Sequence, residues 1–218
     1  MLPGILPNET YGLTLDNQGQ EVTGDKLFEQ PDNATPIRAN ERRWLRIPVF
    51  DRRQLNEAEA INVAAGRAWA MKSRKAWWTN DFVCALHRLM FGDVWKWAGH
   101  WRDSEVNIGN TPAYMVETAT RQVMDDAKFW IENGTYTPHE IAVRLHHRLV
   151  QVHPFTNGNG RCTRAMADIV VRRLRRFEPL TWGGGDVAET DRLRTAYIAA
   201  LKAADSNDYK LLITFAQS

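Results

Sequence analysis

His153-Pro154-Phe155-Thr156-Asn157-Gly158-Asn159-Gly160-Arg161, followed three residues later by Arg164, interrupts an otherwise helix-forming pattern. A residue before proline is disfavoured in the helical region, so the apolar helix that precedes His153 is predicted to stop there and hold the imidazole at its end. Gly158 and Gly160 lack a Cβ and can turn their backbone N–H groups toward one point. Such a concavity at the start of a helix, whose first amides have no intrahelical acceptors, is an anion site. Arg161 and Arg164 lie one turn apart on that helix and lean back toward its N-terminus. Two guanidinium forks over a nest of amides suit a polyphosphate.

Outward from this loop the pattern is helical. Behind it, Cys162, Ala165, Met166, Ile169, Val170 and Leu174 form one apolar face. Ahead of it, Thr137-Pro138-His139-Glu140 combines a capping threonine, a proline at the first helical position and a glutamate at the third, and Ile141, Leu145 and Leu149 continue as a stripe. Further helices are predicted from a cap at Asn56 to about Lys72, from Asn80 to Phe91 with Gly92 as stop, from Ala113 to Asn133, from Asp191 to Ala204 and from Asp208 to Ala216. Residues 1 to about 40 are rich in Pro, Gly, Asn and Asp and read as loops with a strand or hairpin. Between the second and third helices, Trp97 to Gly109 alternates at Val106 and Ile108 and reads as a short hairpin. The fold class is therefore all-α with one short β-hairpin, organised as an irregular N-terminal extension (1–53) packed on one domain (54–218) that carries the motif loop 153–164.

Composition narrows the function classes. A chain of 218 residues, 44% hydrophobic and 25% charged, can bury one sizeable core, and a net charge of only +2 counts against a dedicated nucleic-acid binder. Cys84 and Cys162 form no C-x-x-C pair, Met1-Leu2-Pro3-Gly4 opens no signal peptide, and no apolar run reaches membrane-spanning length. The expectation is a cytoplasmic protein without a membrane partner. His146-His147 point apart on a helix and read as core residues rather than metal ligands, Arg172-Arg173 and Arg175-Arg176 as a solvated helix end, and Trp182 to Asp186 as a connection near the anion site and no P-loop.

The motif string resembles the signature of Fic-domain proteins, His-x-Phe-x-(Asp/Glu)-Gly-Asn-Gly-Arg-x-x-Arg, at every defined position except the acid, which here is Asn157. The resemblance implies a Fic-type helical domain that moves AMP from ATP to a Tyr, Ser or Thr hydroxyl of a target protein, with pyrophosphate leaving. It implies His153 as general base, Asn157 at the Mg²⁺ position, Gly158, Asn159 and Gly160 as the phosphate cradle, Arg161 on the β-phosphate and Arg164 on the γ-phosphate. Phe155 would anchor the loop from beneath. Val106, Asn107, Ile108 and Gly109 would form the flap that takes up the target backbone as an added strand. A neutral amide attracts Mg²⁺ less than a carboxylate, so weaker metal dependence or lower turnover follows.

Regulation departs from the family pattern. Many Fic proteins carry an inhibitory Ser/Thr-x-x-x-Glu-Gly/Asn helix, and no glutamate here has Ser or Thr four residues before it. Glu41 is the nearest candidate, with Arg42 and Arg43 beside it to repel Arg164. The chain either lacks an intrinsic brake, or uses Glu41 as a divergent one, or is restrained by a separate antitoxin or regulatory protein. The N-terminal arrangement and the Asn157-bearing motif look most like the bacterial subgroup called mobile mystery protein B. The alternative function is a low-turnover Fic-fold nucleotide-binding or interaction module of a toxin–antitoxin-like system. A phosphotransferase of the related Doc kind fits less well, because Gly160 keeps the AMP-type nest.

Overall fold

A computed structural model describes residues 43–49, 52–106, 108–174, 178–184 and 191–218. Residues 1–42 with Glu41, and Asn107, Arg175, Arg176, Gly185 and Asp186, lie outside them. The described elements are helical: α1 (Arg52–Lys72), α2 (Asn80–Phe91), α3 (Val116–Glu132), α4 (Pro138–Val152), α5 (Asn159–Arg173), α6 (Asp191–Asp205) and α7 (Lys210–Gln217).

Local chemistry explains most of the boundaries. Thr79 and Thr137 are extended caps whose side chains accept from the N–H groups of Phe82 and Glu140, starting α2 and α4 where expected. Helix α3 is preceded by a single 3₁₀ turn, Ala113–Met115, which tightens the predicted N-terminus. Helix α1 starts four residues before the expected cap at Asn56. Leu55 is fully buried on it, and an Arg53–Glu57 pair at 3.1 Å spans its first turns, so packing extends the helix through the cap signal.

Helix α5 runs through the middle of the bundle, packing on α4, α1 and α2. Cys162, Ala165, Met166, Ile169 and Val170 are buried against α4, whose Ile141, Leu145 and Leu149 are buried in turn. Each such leucine contributes roughly 1.5–3 kcal/mol through burial. Arg172 and Arg173 are exposed, as expected of a solvated helix end, and donate from there to the carbonyls of Met71 and Ser73 at the end of α1.

The segment expected as a hairpin forms none among the described residues. Extended pairing occurs elsewhere, in a bridge of Leu45 with Trp95 flanked by Arg46 N–H to Val94 and Lys96 N–H to Trp44. The reason lies in Arg102, which is buried and donates to the carbonyls of Ser104 and Thr111 in its own loop and of Val152 and His153 at the end of α4. Carbonyls that a hairpin would have turned across its own ladder go to one guanidinium, which binds the loop to the helix end.

Candidate active site

Helix α4 ends at Val152, and His153 adopts the left-handed conformation (φ 50°, ψ 62°) while its N–H still donates to Leu149. Such a position costs a non-glycine residue about 1–3 kcal/mol and persists only where the surroundings hold it. Arg102 does so from two sides: its Nε donates to the His153 carbonyl at 2.7 Å and its backbone N–H to Pro154. The His153 ring is buried, and burial holds it down at about 4, with a backbone hydrogen bond to Val150 opposing and the Arg102 charge adding to the shift. At neutral pH the imidazole is uncharged and able to take a proton.

The loop after His153 is fixed from beneath. Phe155 is fully buried, stacked on His87 with centroids 3.6 Å apart and on Trp101 at 5.3 Å. The Asn159 side chain, expected in the phosphate cradle, turns inward: it accepts from the Phe155 N–H and donates to the Phe155 carbonyl. Only its backbone faces the helix start. His87, which sequence reading passed over, donates from Nε2 to the Asn157 carbonyl at 3.0 Å and accepts at Nδ1 from the Gly99 N–H. Protonation would remove that acceptor, and burial holds the ring down at about 3.

Gly158 caps α5 with φ 76°, and no side chain caps the helix. The first-turn amides of α5 therefore face the space ahead of it, as the anion-site reading requires. A Cβ at Gly158 would lie 2.6 Å from the Phe91 ring, whereas one at Gly160 would meet only Arg164 Nη1 at 3.6 Å. Gly158→Ala should thus lower stability by about 1–3 kcal/mol through strain and overlap. Gly160→Ala should leave stability equal or slightly raised, by up to about 1 kcal/mol, yet lower ATP affinity by filling the approach to the amides. Chemical denaturation and calorimetric ATP binding on both variants check this, and unchanged ATP affinity in Gly160→Ala would remove the nest from the site.

The two arginines have different surroundings. Arg164 reaches back over Gly160, lies 5.7 Å over the Tyr197 ring, and makes no carboxylate salt bridge among the described residues. Arg161 stands on the Phe91 ring at 4.6 Å and donates from Nη1 to Glu59 at 2.6 Å. Glu59 is buried in α1 and also accepts from Trp95 Nε1 at 2.6 Å. Nothing in the sequence pairs residues 102 positions apart, so Glu59, Trp95 and Tyr197 escaped the motif-based reading.

Asn157 turns its Oδ1 onto the Gly158 N–H at 2.6 Å. Among the described residues no group of three or more His, Cys, Asp or Glu side chains could hold a metal ion. Asn157 Oδ1 is a single neutral oxygen that already accepts from Gly158, so an ion held here would have to take nearly all of its oxygens from phosphates and water. His146 and His147 face the core, paired with the Tyr197 hydroxyl and with Asp205 and Tyr209 respectively. Val106 and Ile108 are half-buried, and Gly109 (φ 87°) lies so close to the Gln151 carbonyl that a Cβ would fall 2.4 Å from it, placing the candidate flap against the end of α4. Trp182 donates to Asp168 on α5, which also pairs with Arg67 of α1 at 2.7 Å.

Four buried histidines make acid the weak side of this fold. Burial is the main cause that lowers each of His87, His146, His147 and His153. Since the unfolded chain takes up these protons near pH 6.5 and the folded chain only at lower pH, their contribution is complete above about 6.5 and is lost as pH falls toward 4. At pH 5, His87 and His153 alone should cost on the order of 4 kcal/mol relative to pH 7. Urea midpoints at the two pH values measure it; equal midpoints would contradict the burial of these rings.

The fold and site together define a class: a helical bundle that presents a neutral imidazole and an open helix N-terminus at one interhelical turn. Residues 77–171 match the Fic/DOC family. The protein adenylyltransferase fic-1 of Caenorhabditis elegans is 30% identical over 138 residues, 62% of this chain and 26% of that protein. The chain thus spans about a quarter of the length of this curated relative. Among solved structures, Fic-1 (residues 134–508) from C. elegans superposes with TM-score 0.58 at 25% identity, covering 78% of this chain and 50% of that one. BepC of Bartonella tribocorum, with bound AMPPNP, shares the fold at TM-score 0.58 and 16% identity, over 78% of this chain and 87% of that one.

Proposed function

We propose that this chain is a protein adenylyltransferase that transfers AMP from ATP to a Tyr, Ser or Thr hydroxyl of a target protein. The observation that carries the reading is a neutral imidazole, held in a clamped left-handed turn, beside an uncapped helix N-terminus with Arg164 reaching back over it. The activity named for the relatives agrees with it.

In this reaction His153 accepts the proton of the attacking hydroxyl, whose oxygen bonds to the α-phosphorus. The bond from that phosphorus to the oxygen bridging to the β-phosphate breaks, and pyrophosphate leaves with the electron pair. The first-turn amides of α5 at Asn159 and Gly160 stabilise the phosphate oxygens, Arg161 the β-phosphate and Arg164 the γ-phosphate. Mg²⁺, when bound, supplies charge neutralisation at the phosphates, with Asn157 Oδ1 as its protein ligand. Val106, Asn107, Ile108 and Gly109 present the target backbone as an added strand.

The finer placement is also proposed: a cytoplasmic bacterial protein of the mobile mystery protein B subgroup, restrained by a separate antitoxin-like protein. Its basis is the Asn157-bearing motif and the arginines beside Glu41. Within the described residues, no helix is long and apolar enough to cross a membrane. The N-terminal extension over 1–53 and the Fic domain over 54–218 stand as the proposed organisation.

The test is incubation with lysate and α-labelled, then γ-labelled, ATP. Protein-bound α-label supports AMP transfer; γ-label alone points to phosphotransfer; neither label, with ATP binding intact, favours the low-turnover module. For the metal position, Asn157→Asp should lower the Mg²⁺ concentration for half-maximal labelling by roughly three- to tenfold, the scale of about 1 kcal/mol. An unchanged titration would take Asn157 off the metal.

A further inference from the structure

We infer that Glu59 is a positioning residue that sets how Arg161 meets the nucleotide and so makes binding selective for nucleotides that carry a β-phosphate. The inference rests on the reading of Arg161 as the β-phosphate contact. It concerns a residue of α1, outside the segment 77–171 that matches the family.

Three contacts hold this guanidinium. Glu59 Oε2 takes Nη1 at 2.6 Å, the Phe91 ring lies under it at 4.6 Å, and Glu59 itself is fixed because its other oxygen accepts from Trp95 Nε1 at 2.6 Å. Glu59 is 4% exposed, while the Arg161 side chain is 31% exposed. A carboxylate buried and tethered at both oxygens cannot follow the arginine outward, so it acts as a fixed post. The guanidinium is planar and carries five N–H donors, of which the post uses one. With a ring under the plane and one nitrogen held, rotation about the last side-chain bonds is restricted and the remaining N–H edge keeps one direction. Orienting a flexible cation before the anion arrives removes the ordering cost from the binding step. A competing brake would need a carboxylate that can leave when phosphate binds, and the Trp95 contact opposes that.

The experiment measures AMP and ADP binding by calorimetry in the wild type, Glu59→Gln, Arg161→Met and the double variant, with folding followed by denaturation. Glu59→Gln keeps an oxygen for Trp95 and loses the charge that grips Arg161. Expected is a loss of about tenfold in ADP affinity, with AMP affinity within about twofold of wild type, and no further change in the ADP-to-AMP ratio when Glu59→Gln is added to Arg161→Met. Equal weakening of AMP and ADP would reduce Glu59 to a structural role, and tighter ADP binding would make it a competitor of phosphate; either overturns the inference. If Arg161→Met leaves the ADP-to-AMP ratio unchanged, the β-phosphate reading of Arg161 fails first. If it changes the ratio and Glu59→Gln does not, the inference on Glu59 alone fails.

Discussion

His153→Asn should lower labelling of target protein by about 10²–10⁴-fold, the usual contribution of a positioned base, while ATP affinity stays within about threefold of wild type. Asparagine tolerates the left-handed conformation that His153 occupies, so the turn survives where alanine would add strain. The amide offers no base at neutral pH, and the amides of α5 and both arginines are untouched. The wild-type pH profile gives a second reading. With burial holding His153 down at about 4, the base form dominates throughout the neutral range, so the rate should change little between pH 6 and 8 and fall as pH approaches 4. Undiminished labelling by His153→Asn would remove the proposed mechanism. A profile that declines already through pH 7 would place another group in control of the proton.

Arg102→Lys should be the most damaging conservative change outside the motif. The guanidinium serves the carbonyls of Val152, His153, Ser104 and Thr111 from a buried position, and its fork geometry reaches all four. An ammonium has three donors at one point and would leave at least one carbonyl without a donor. At about 1–3 kcal/mol for each orphaned buried acceptor, a loss of roughly 2–5 kcal/mol is expected. The left-handed turn at His153 would also lose its clamp, and a displacement of the imidazole of the order of 1 Å costs about 10²-fold in rate. Denaturation midpoints, and labelling at a temperature where the variant is fully folded, check both parts. A stable variant with normal turnover would show that the loop from Trp101 to Thr111 holds the site without this residue.

The motif loop was legible because its chemistry is local. His153, Gly158, Gly160, Arg161 and Arg164 sit within twelve positions, and a glycine-opened helix with arginines on its first turns has few uses other than holding an anion. The helices read well for the same reason, since threonine caps and apolar stripes act within one or two turns. What escaped was everything settled by distant partners. Arg102 looked like one polar residue in an alternating stretch, because alternation records which residues are apolar and not where a guanidinium will find carbonyls. Glu59 reads as an ordinary helix former in Asn56-Glu57-Ala58-Glu59, and only the packing of α5 on α1 brings it to Arg161.

Those long separations also bear on the order in which the protein comes into being. Glu59 meets Arg161 across 102 residues, Arg67 meets Asp168 across 101, and His87 meets Asn157 across 70. At a synthesis rate of about 5–20 residues per second, α1 leaves the ribosome roughly 5–20 s ahead of the helix that neutralises its buried acid. During that interval the chain can pair α1 with α2, but it carries an acid and an arginine whose partners have not yet been made. The anion site is thus a product of final closure, and a chain interrupted before α5 has neither the nest nor Arg161 and Arg164. Once α5 is seated, any ligand that binds only the closed form adds its binding free energy to the docking of this central helix, so ATP at a hundred times its Kd should deepen the native basin by about 2.7 kcal/mol.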